Sequence, residues 1–286
     1  MAIIRGTSGS ETLNGTAEND RIAGRGGDDT IIATIGDDTL NGGTGSNTAD
    51  YSGLNTVITF ESGRTIRKRG RGTDLVRDID TIIGAADQTN TISGRSTRDS
   101  DVPSFNNLLS FDIDLSEDRL TINGVPGDSE VDFTVQNFVN VKGTSRADSI
   151  IGDEGDNRFL GRGGNDLLVG GAGNDTLKGG SGDDTLIGVD VSNPNAGPQI
   201  DTLNGGFGSD VFVLGTEDEV FYNSNGRQDF AKISRFSTNF DKIQLSGSID
   251  DYTFSDDGRR IFERESNDLI AVVKNGFIDA NDLTFV

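Results

Sequence analysis

The sequence has 286 residues, of which 32% are hydrophobic and 40 are glycine, and its formal net charge is −22. Apolar material this thin excludes a deep globular core, and charge this negative excludes nucleic acid as a partner. With no cysteine and no histidine, disulfides, thiol chemistry and soft-metal sites are excluded. Oxygen is then the only metal ligand on offer, and it suits hard cations such as calcium.

The N-terminus, Met1-Ala2-Ile3-Ile4-Arg5-Gly6, carries no apolar stretch of signal-peptide length. No segment approaches a membrane span either, so export is expected by a route that reads no N-terminal signal. From Gly6 the chain divides into nine-residue units: GTSGSETLN, GTAENDRIA, GRGGDDTII, ATIGDDTLN and GGTGSNTAD. This first block occupies residues 1–51. Its position six holds Glu11, Asp20, Asp29, Asp38 and Asn47, and its position eight Leu13, Ile22, Ile31, Leu40 and Ala49.

Residues 52–142 break the register and read as a β-rich region with strand-like runs at 56–60, 75–83, 108–115, 119–122 and 131–141. Asp80-Thr81-Ile82-Ile83-Gly84 and Asn90-Thr91-Ile92-Ser93-Gly94 repeat the second half of a nonad without its turn. The region is expected to continue the β-stack as wider, metal-poor coils; a separate β-domain is the alternative. Arg64, Arg67, Lys68, Arg69 and Arg71 form a basic cluster on an acidic chain. It reads either as a solvated hairpin tip or as a contact for an anionic cell-surface polysaccharide.

A second block, residues 143–213, runs GTSRADSII, GDEGDNRFL, GRGGNDLLV, GGAGNDTLK and GGSGDDTLI from Gly143. Its next nonad opens at Gly188, is split by an insertion containing Pro194 and Pro198, and resumes at Asp201; the last, GGFGSDVFV, opens at Gly205. Position six is Asp148, Asn157, Asp166, Asp175, Asp184, Asp201 and Asp210. Position eight is Ile150, Phe159, Leu168, Leu177, Leu186, Leu203 and Phe212. Acid or amide at one position and apolar at the other, held in phase through both blocks, excludes random low complexity.

The best units, GGAGNDTLK and GGSGDDTLI, fit G-G-x-G-x-D-x-U-x at every specified position. The chain therefore resembles the RTX, or hemolysin-type, calcium-binding nonapeptide repeat family. The fold this implies is all-β: a right-handed parallel β-roll, with a C-terminal antiparallel β cap expected to close its edge. The resemblance also implies a chain disordered in a low-calcium cytosol and folded outside the cell.

The metal site follows from the repeat itself. The last residues of a nonad favour a short strand with one inward side chain, and the glycine-rich first six form a turn. Two nonads complete a coil, so turns on one side stack Asp166 on Asp148, Asp175 on Asn157 and Asp184 on Asp166. Carboxylates at a strand-stacking distance of about 4.8 Å repel, and a dication between turns converts that cost into binding. Expected ligands are the position-six residues, together with the turn residues Gly24, Gly26, Asp28, Gly161, Gly163, Asn165, Gly170, Ala172, Asn174, Gly179, Ser181 and Asp183. Pairing turns a coil apart gives about eight calcium sites, about three in the first block and about five in the second. Glu11, Asn47 and Asn157 depart from the pattern and weaken their sites.

Residues 214–286 read as antiparallel β. Ile233-Ser234-Arg235-Phe236 and Phe240-Asp241-Lys242-Ile243-Gln244-Leu245 are similar to the segment that follows the last repeat in secreted RTX proteins. The tail Asp282-Leu283-Thr284-Phe285-Val286 is similar to the C-terminal signal read by type I secretion machinery. Without histidine, H-E-x-x-H and Ser-His-Asp chemistry are excluded, and neither a G-x-S-x-G elbow nor a P-loop occurs. The expectation is a secreted calcium-binding protein without enzymatic activity, at the cell surface or in the matrix. An adhesin or ice-binding solenoid and a polysaccharide-directed module are the alternatives.

Overall fold

A computed structural model describes residues 1–61, 64–94, 110–124, 130–195, 197–224 and 226–286. The run expected at 108–115 begins outside them and is described as Ser110–Asp114; residue 196 of the insertion also lies outside. The chain forms two compact units, Met1–Lys142 and Gly143–Val286.

Each nonad ends in a strand because a β-branched or aliphatic triplet such as Thr176-Leu177-Lys178 fits a pleated surface, and the glycine-rich turn can then reverse the chain. Successive nonads enter two different sheets, so each strand pairs in parallel with the strand one coil away. In Met1–Lys142, Arg21–Gly26 pairs with Thr39–Thr44, while Thr12–Asn14 pairs with Thr30–Ile32 and that with Thr48–Asp50. In Gly143–Val286, Arg158–Gly163, Thr176–Ser181 and Ile200–Phe207 form one parallel ladder. Ser149–Ile151, Leu167–Val169, Thr185–Ile187 and Val211–Val213 form the other.

Register puts the position-eight residues in contact: Ile22 opposite Leu40, Ile150 opposite Leu168, Leu177 opposite Leu203, and Leu186 opposite Phe212. All of these are buried. One such side chain per strand, each contributing about 1.5–3 kcal/mol, makes a narrow core.

Within the first unit the middle region stacks on the repeats. Gly72–Arg77 pairs in parallel with Thr39–Thr44, and Thr81–Ile83 with Thr48–Asp50. Two antiparallel meanders are spliced in: Ile58–Glu61, Thr65–Lys68 and Gly72–Arg77 in one sheet, and Ser110–Asp114, Arg119–Asn123 and Glu130–Gln136 in the other. The solvated-tip reading of the basic cluster fits Arg64, Arg67, Arg69 and Arg71, which are exposed, but not Lys68, which is 1% exposed. Strand alternation is the cause: Ile66 and Lys68 share the inward face of Thr65–Lys68, and Arg67 points out to pair with Glu61 at 3.2 Å.

Past the repeats the second unit keeps coiling. Phe230–Ser234 pairs in parallel with Ile200–Phe207, Lys242–Leu245 with Val211–Val213, and Leu283–Phe285 with Lys242–Leu245. Among the described residues, the expected antiparallel pairing joins Tyr252–Phe254, Arg260–Glu263 and Leu269–Val273, with a single further bridge between Gly215 and Val220. The coil persists because Asp241-Lys242-Ile243 restarts a strand in the same way that a nonad does.

Candidate metal centres

The position-six side chains from Asp20 to Asp210 are all buried although most are acids. Asp29, Asp38, Asn47, Asp166, Asp175, Asp184, Asp201 and Asp210 each use one oxygen to accept the backbone N–H of the position-six residue one coil earlier. Glu11 donates to Asp29 at 3.0 Å, Asp20 to Asp38 at 2.8 Å, and Asp148 to Asp166 at 2.9 Å. Asp166 donates to Asp184 at 2.9 Å, Asn157 to Asp175 at 2.8 Å, and Asp184 to Asp210 at 3.0 Å. The column is thus a ladder that closes one coil onto the next.

The second side-chain oxygen divides the turns into two kinds. In Asp29, Asp166, Asp175, Asp184 and Asp210 it is buried and accepts no hydrogen bond from the described residues. In every one of these turns, position two is left-handed: Arg25 at φ 84°, Arg162 at 83°, Gly171 at 100°, Gly180 at 128° and Gly206 at 120°. In the other kind, position two is not left-handed and its N–H reaches back to the acid. Thr16 donates to Asp20 at 2.6 Å, Thr144 to Asp148 at 2.6 Å, and Asp153 to Asn157 at 2.9 Å. Glu11 is closed in the same way by the Thr7 amide at 2.9 Å. A left-handed position two turns that N–H away from the carboxylate, so the turn stays open.

Three residues follow neither pattern. Asn47 sits in a turn with Gly43 at φ 93°, and its amide nitrogen donates to the Gly43 and Gly45 carbonyls at 3.4 and 3.2 Å. Asp201 gives its second oxygen to the buried Tyr222 hydroxyl at 2.6 Å. Asp38 is paired with Lys68 at 3.2 Å.

Burial weakens the acidity of Asp166, Asp175, Asp184 and Asp210. It raises Asp166 and Asp175 to about 8, and Asp184 and Asp210 to about 6, with neighbouring carboxylates adding to the rise. Asp201 is raised to about 7, again by burial first. Closed turns go the other way. The Ala2 amide and Thr16 hold Asp20 below the usual range, and the Thr7 hydroxyl and amide do the same for Glu11.

The position-one glycines border the open oxygens. A Cβ on Gly24 would fall on Asp29 Oδ2 and the Gly42 carbonyl oxygen; one on Gly161 would meet Asp166 Oδ2 and Gly179 O, and one on Gly170 Asp175 Oδ2 and Gly188 O. Carboxylate and carbonyl oxygens therefore converge on a space that only glycine leaves clear, and this donor set fits a hard cation. Among the described residues no three acidic side chains cluster, so a cation here takes most of its oxygens from the main chain. Gly179→Ala would place its Cβ against Asp184 Oδ2. Its expected cost is about 1–3 kcal/mol of overpacking and a weakened calcium site at that turn, read by melting with and without calcium.

The position-five side chains, also expected as ligands, accept hydrogen bonds across the coils. Asp28 accepts from Ser46 N–H at 2.8 Å, Asn165 from Asp183 at 3.0 Å, Asn174 from Ile200 at 3.0 Å, and Asp183 from Ser209 at 2.8 Å. This second ladder faces the following coil, whereas the position-six ladder faces the preceding one. Gly26, Gly163 and Ser181 lie in the strands, where Gly26 pairs with Thr44 and Gly163 with Ser181. Ala172 donates its N–H to Asp153 O at 3.1 Å.

The acid column also has members outside the nonads. Asp74 accepts from Asp38 N–H and Asp241 from Asp210 N–H, both at 3.0 Å, and both are buried. Their only sequence signal is an acid two residues before an inward apolar side chain, Val76 or Ile243.

Comparison with known proteins adds to this geometry. The RTX calcium-binding nonapeptide repeat matches at residues 5–40, 32–50, 140–168, 160–190 and 195–226. No curated protein matches the chain. Among solved structures, extracellular lipase LipA from Serratia marcescens is 21% identical over 98% of this chain, with a TM-score of 0.34; the chain spans 39% of the lipase's length. The AlgE6R3 subunit of the Azotobacter vinelandii mannuronan C5-epimerase is 24% identical over 49% of this chain and 79% of its own, with a TM-score of 0.21. Through its two blocks, whose coils pair and turn as the nonapeptide pattern requires, the chain carries RTX calcium-binding nonapeptide repeats.

Proposed function

We propose that this is a secreted calcium-binding β-roll protein whose open turns take up calcium outside the cell and thereby complete the fold. The observation that carries the reading is the coincidence of a left-handed position two with a buried, unpartnered carboxylate oxygen at Asp29, Asp166, Asp175, Asp184 and Asp210. Calcium, when bound, supplies two positive charges and accepts six to eight oxygens (about 2.4 Å away). The chain's own part is to hold those carboxylates and turn carbonyls in place and to exclude water from them. In this assignment Asp29 serves the first block, and Asp166, Asp175, Asp184 and Asp210 the second. The closed turns of Asp20, Asp148 and Asn157 serve chiefly as ladder.

A core of one apolar residue per strand leaves the metal-free state weak, so binding free energy becomes folding free energy. The role that fits is structural or at the cell surface, without catalysis, after export by type I secretion machinery. Exposed Arg64, Arg69 and Arg71 offer an anionic cell-surface polysaccharide a positive patch. Calorimetric calcium titration of the full chain, paired with far-ultraviolet circular dichroism in chelator, tests the reading. β-Signal should be weak in chelator and recover with calcium. A full β-signal in chelator, with no heat of binding, would overturn it.

A further inference from the structure

Lys68 is buried in the acid column of the first unit. Its ammonium donates to the Thr34 carbonyl at 2.7 Å and to Asp38 Oδ2 at 3.2 Å, and it also bonds Asp74 Oδ1. Asp38 and Asp74 are successive rungs, joined by the Asp38 N–H to Asp74 Oδ1 bond at 3.0 Å. Thr34 is position two of the Asp38 turn. The ammonium thus touches a position-two carbonyl and the acids of two stacked turns.

That set is the one a cation between turns would draw on. Asn47 reports the same cradle independently: its amide N–H groups face the position-two and position-four carbonyls, Gly43 and Gly45. One donor is charged and one neutral, yet each points a positive hydrogen where the open turns carry only oxygen.

We propose that Lys68 is a tethered cation that replaces calcium between the Asp38 and Asp74 turns, so that this step of the roll is closed without metal. The antiparallel detour Ile58–Glu61, Thr65–Lys68, Gly72–Arg77 delivers the side chain: it returns to the sheet beside Thr39–Thr44 with Lys68 on the inward face. The Tyr51 hydroxyl donates to Asp74 Oδ2 at 2.9 Å and satisfies the remaining oxygen of that carboxylate. A buried ion pair costs desolvation, but removing one partner from it costs far more. The unit Met1–Lys142 therefore carries part of its own counter-charge, and calcium acts most strongly on Gly143–Val286, which holds Asp166, Asp175, Asp184 and Asp210.

The proposal rests on calcium binding by the open turns and is tested in the full chain. Lys68→Ala opens the space, and Lys68→Met fills it without charge. Calcium stoichiometry by calorimetry and native mass spectrometry should rise by one ion in Lys68→Ala relative to the parent and stay at the parental value in Lys68→Met. Melting of both variants in chelator should fall, and calcium should restore Lys68→Ala but not Lys68→Met. An unchanged ion count in Lys68→Ala, or a Lys68→Ala protein that fails to fold even in calcium, would overturn the proposal. A parent chain that binds no calcium would instead overturn the wider reading, and so the two failures are distinct.

Discussion

Asp184→Asn should change stability with opposite sign in the two metal states. In calcium the variant loses a charged ligand, and its calcium affinity at that turn should fall at least about tenfold, or about 1.4 kcal/mol. In chelator at pH 8 it should be more stable than the parent by about 1–3 kcal/mol. The substitution removes a buried carboxylate whose second oxygen has no partner. An amide keeps the oxygen that accepts Asp166 N–H. Asn47 demonstrates the rest, because its nitrogen satisfies the position-two and position-four carbonyls of its own turn.

Asp20→Asn is the control. Both Asp20 oxygens are already engaged, one by Ala2 N–H at 2.7 Å and the other by Thr16 N–H at 2.6 Å. That variant should be destabilised or neutral in both states, with no reversal. Chemical denaturation of both proteins, with calcium and with chelator, decides the matter. The same sign in both states for Asp184→Asn would refute the assignment of Asp184 to an open turn.

Acidification should build β-structure in the calcium-free chain. Folded-state values of about 8 for Asp166 and Asp175, about 7 for Asp201, and about 6 for Asp184 and Asp210 lie above the ordinary 3.8. The folded state therefore binds protons that the unfolded state releases. That stabilisation is complete below about pH 4 and is lost as pH rises through 6 to 8. Circular dichroism in chelator should show more β-signal at pH 5 than at pH 9.

Calcium competes for the same oxygens, so its binding should expel protons and weaken as pH falls from 8 to 6. Titration in buffers of different ionisation heat reads that proton release directly. A metal-free chain whose β-signal is the same at both pH values would show that these carboxylates are not the buried charges that limit folding.

The nonad columns alone specify the metal, the parallel pairing one coil apart and the inward position-eight residues, because each depends only on a local period. Position two also carried a legible signal: in the open turns it is glycine or arginine, and in the closed ones threonine or aspartate. That signal becomes readable only once the direction of the N–H is known. The position-five ladder was hidden because its partners lie across the coil, eighteen or twenty-six residues away in the chain.

Lys68 shows where local pattern stops. In sequence it is one of five basic residues between Arg64 and Arg71, and nothing in that run separates it from its neighbours. Alternation along Thr65–Lys68 turned it inward, and the antiparallel detour placed it against Asp38 and Asp74, thirty and six residues away in the chain. The sequence by itself determined a calcium-binding β-roll in two blocks, because short-range periodicity dictates the turns. Which turns keep an unpartnered carboxylate oxygen, and which one receives a lysine, was decided by tertiary structure, because burial and long-range pairing decide which carboxylate oxygens find a partner.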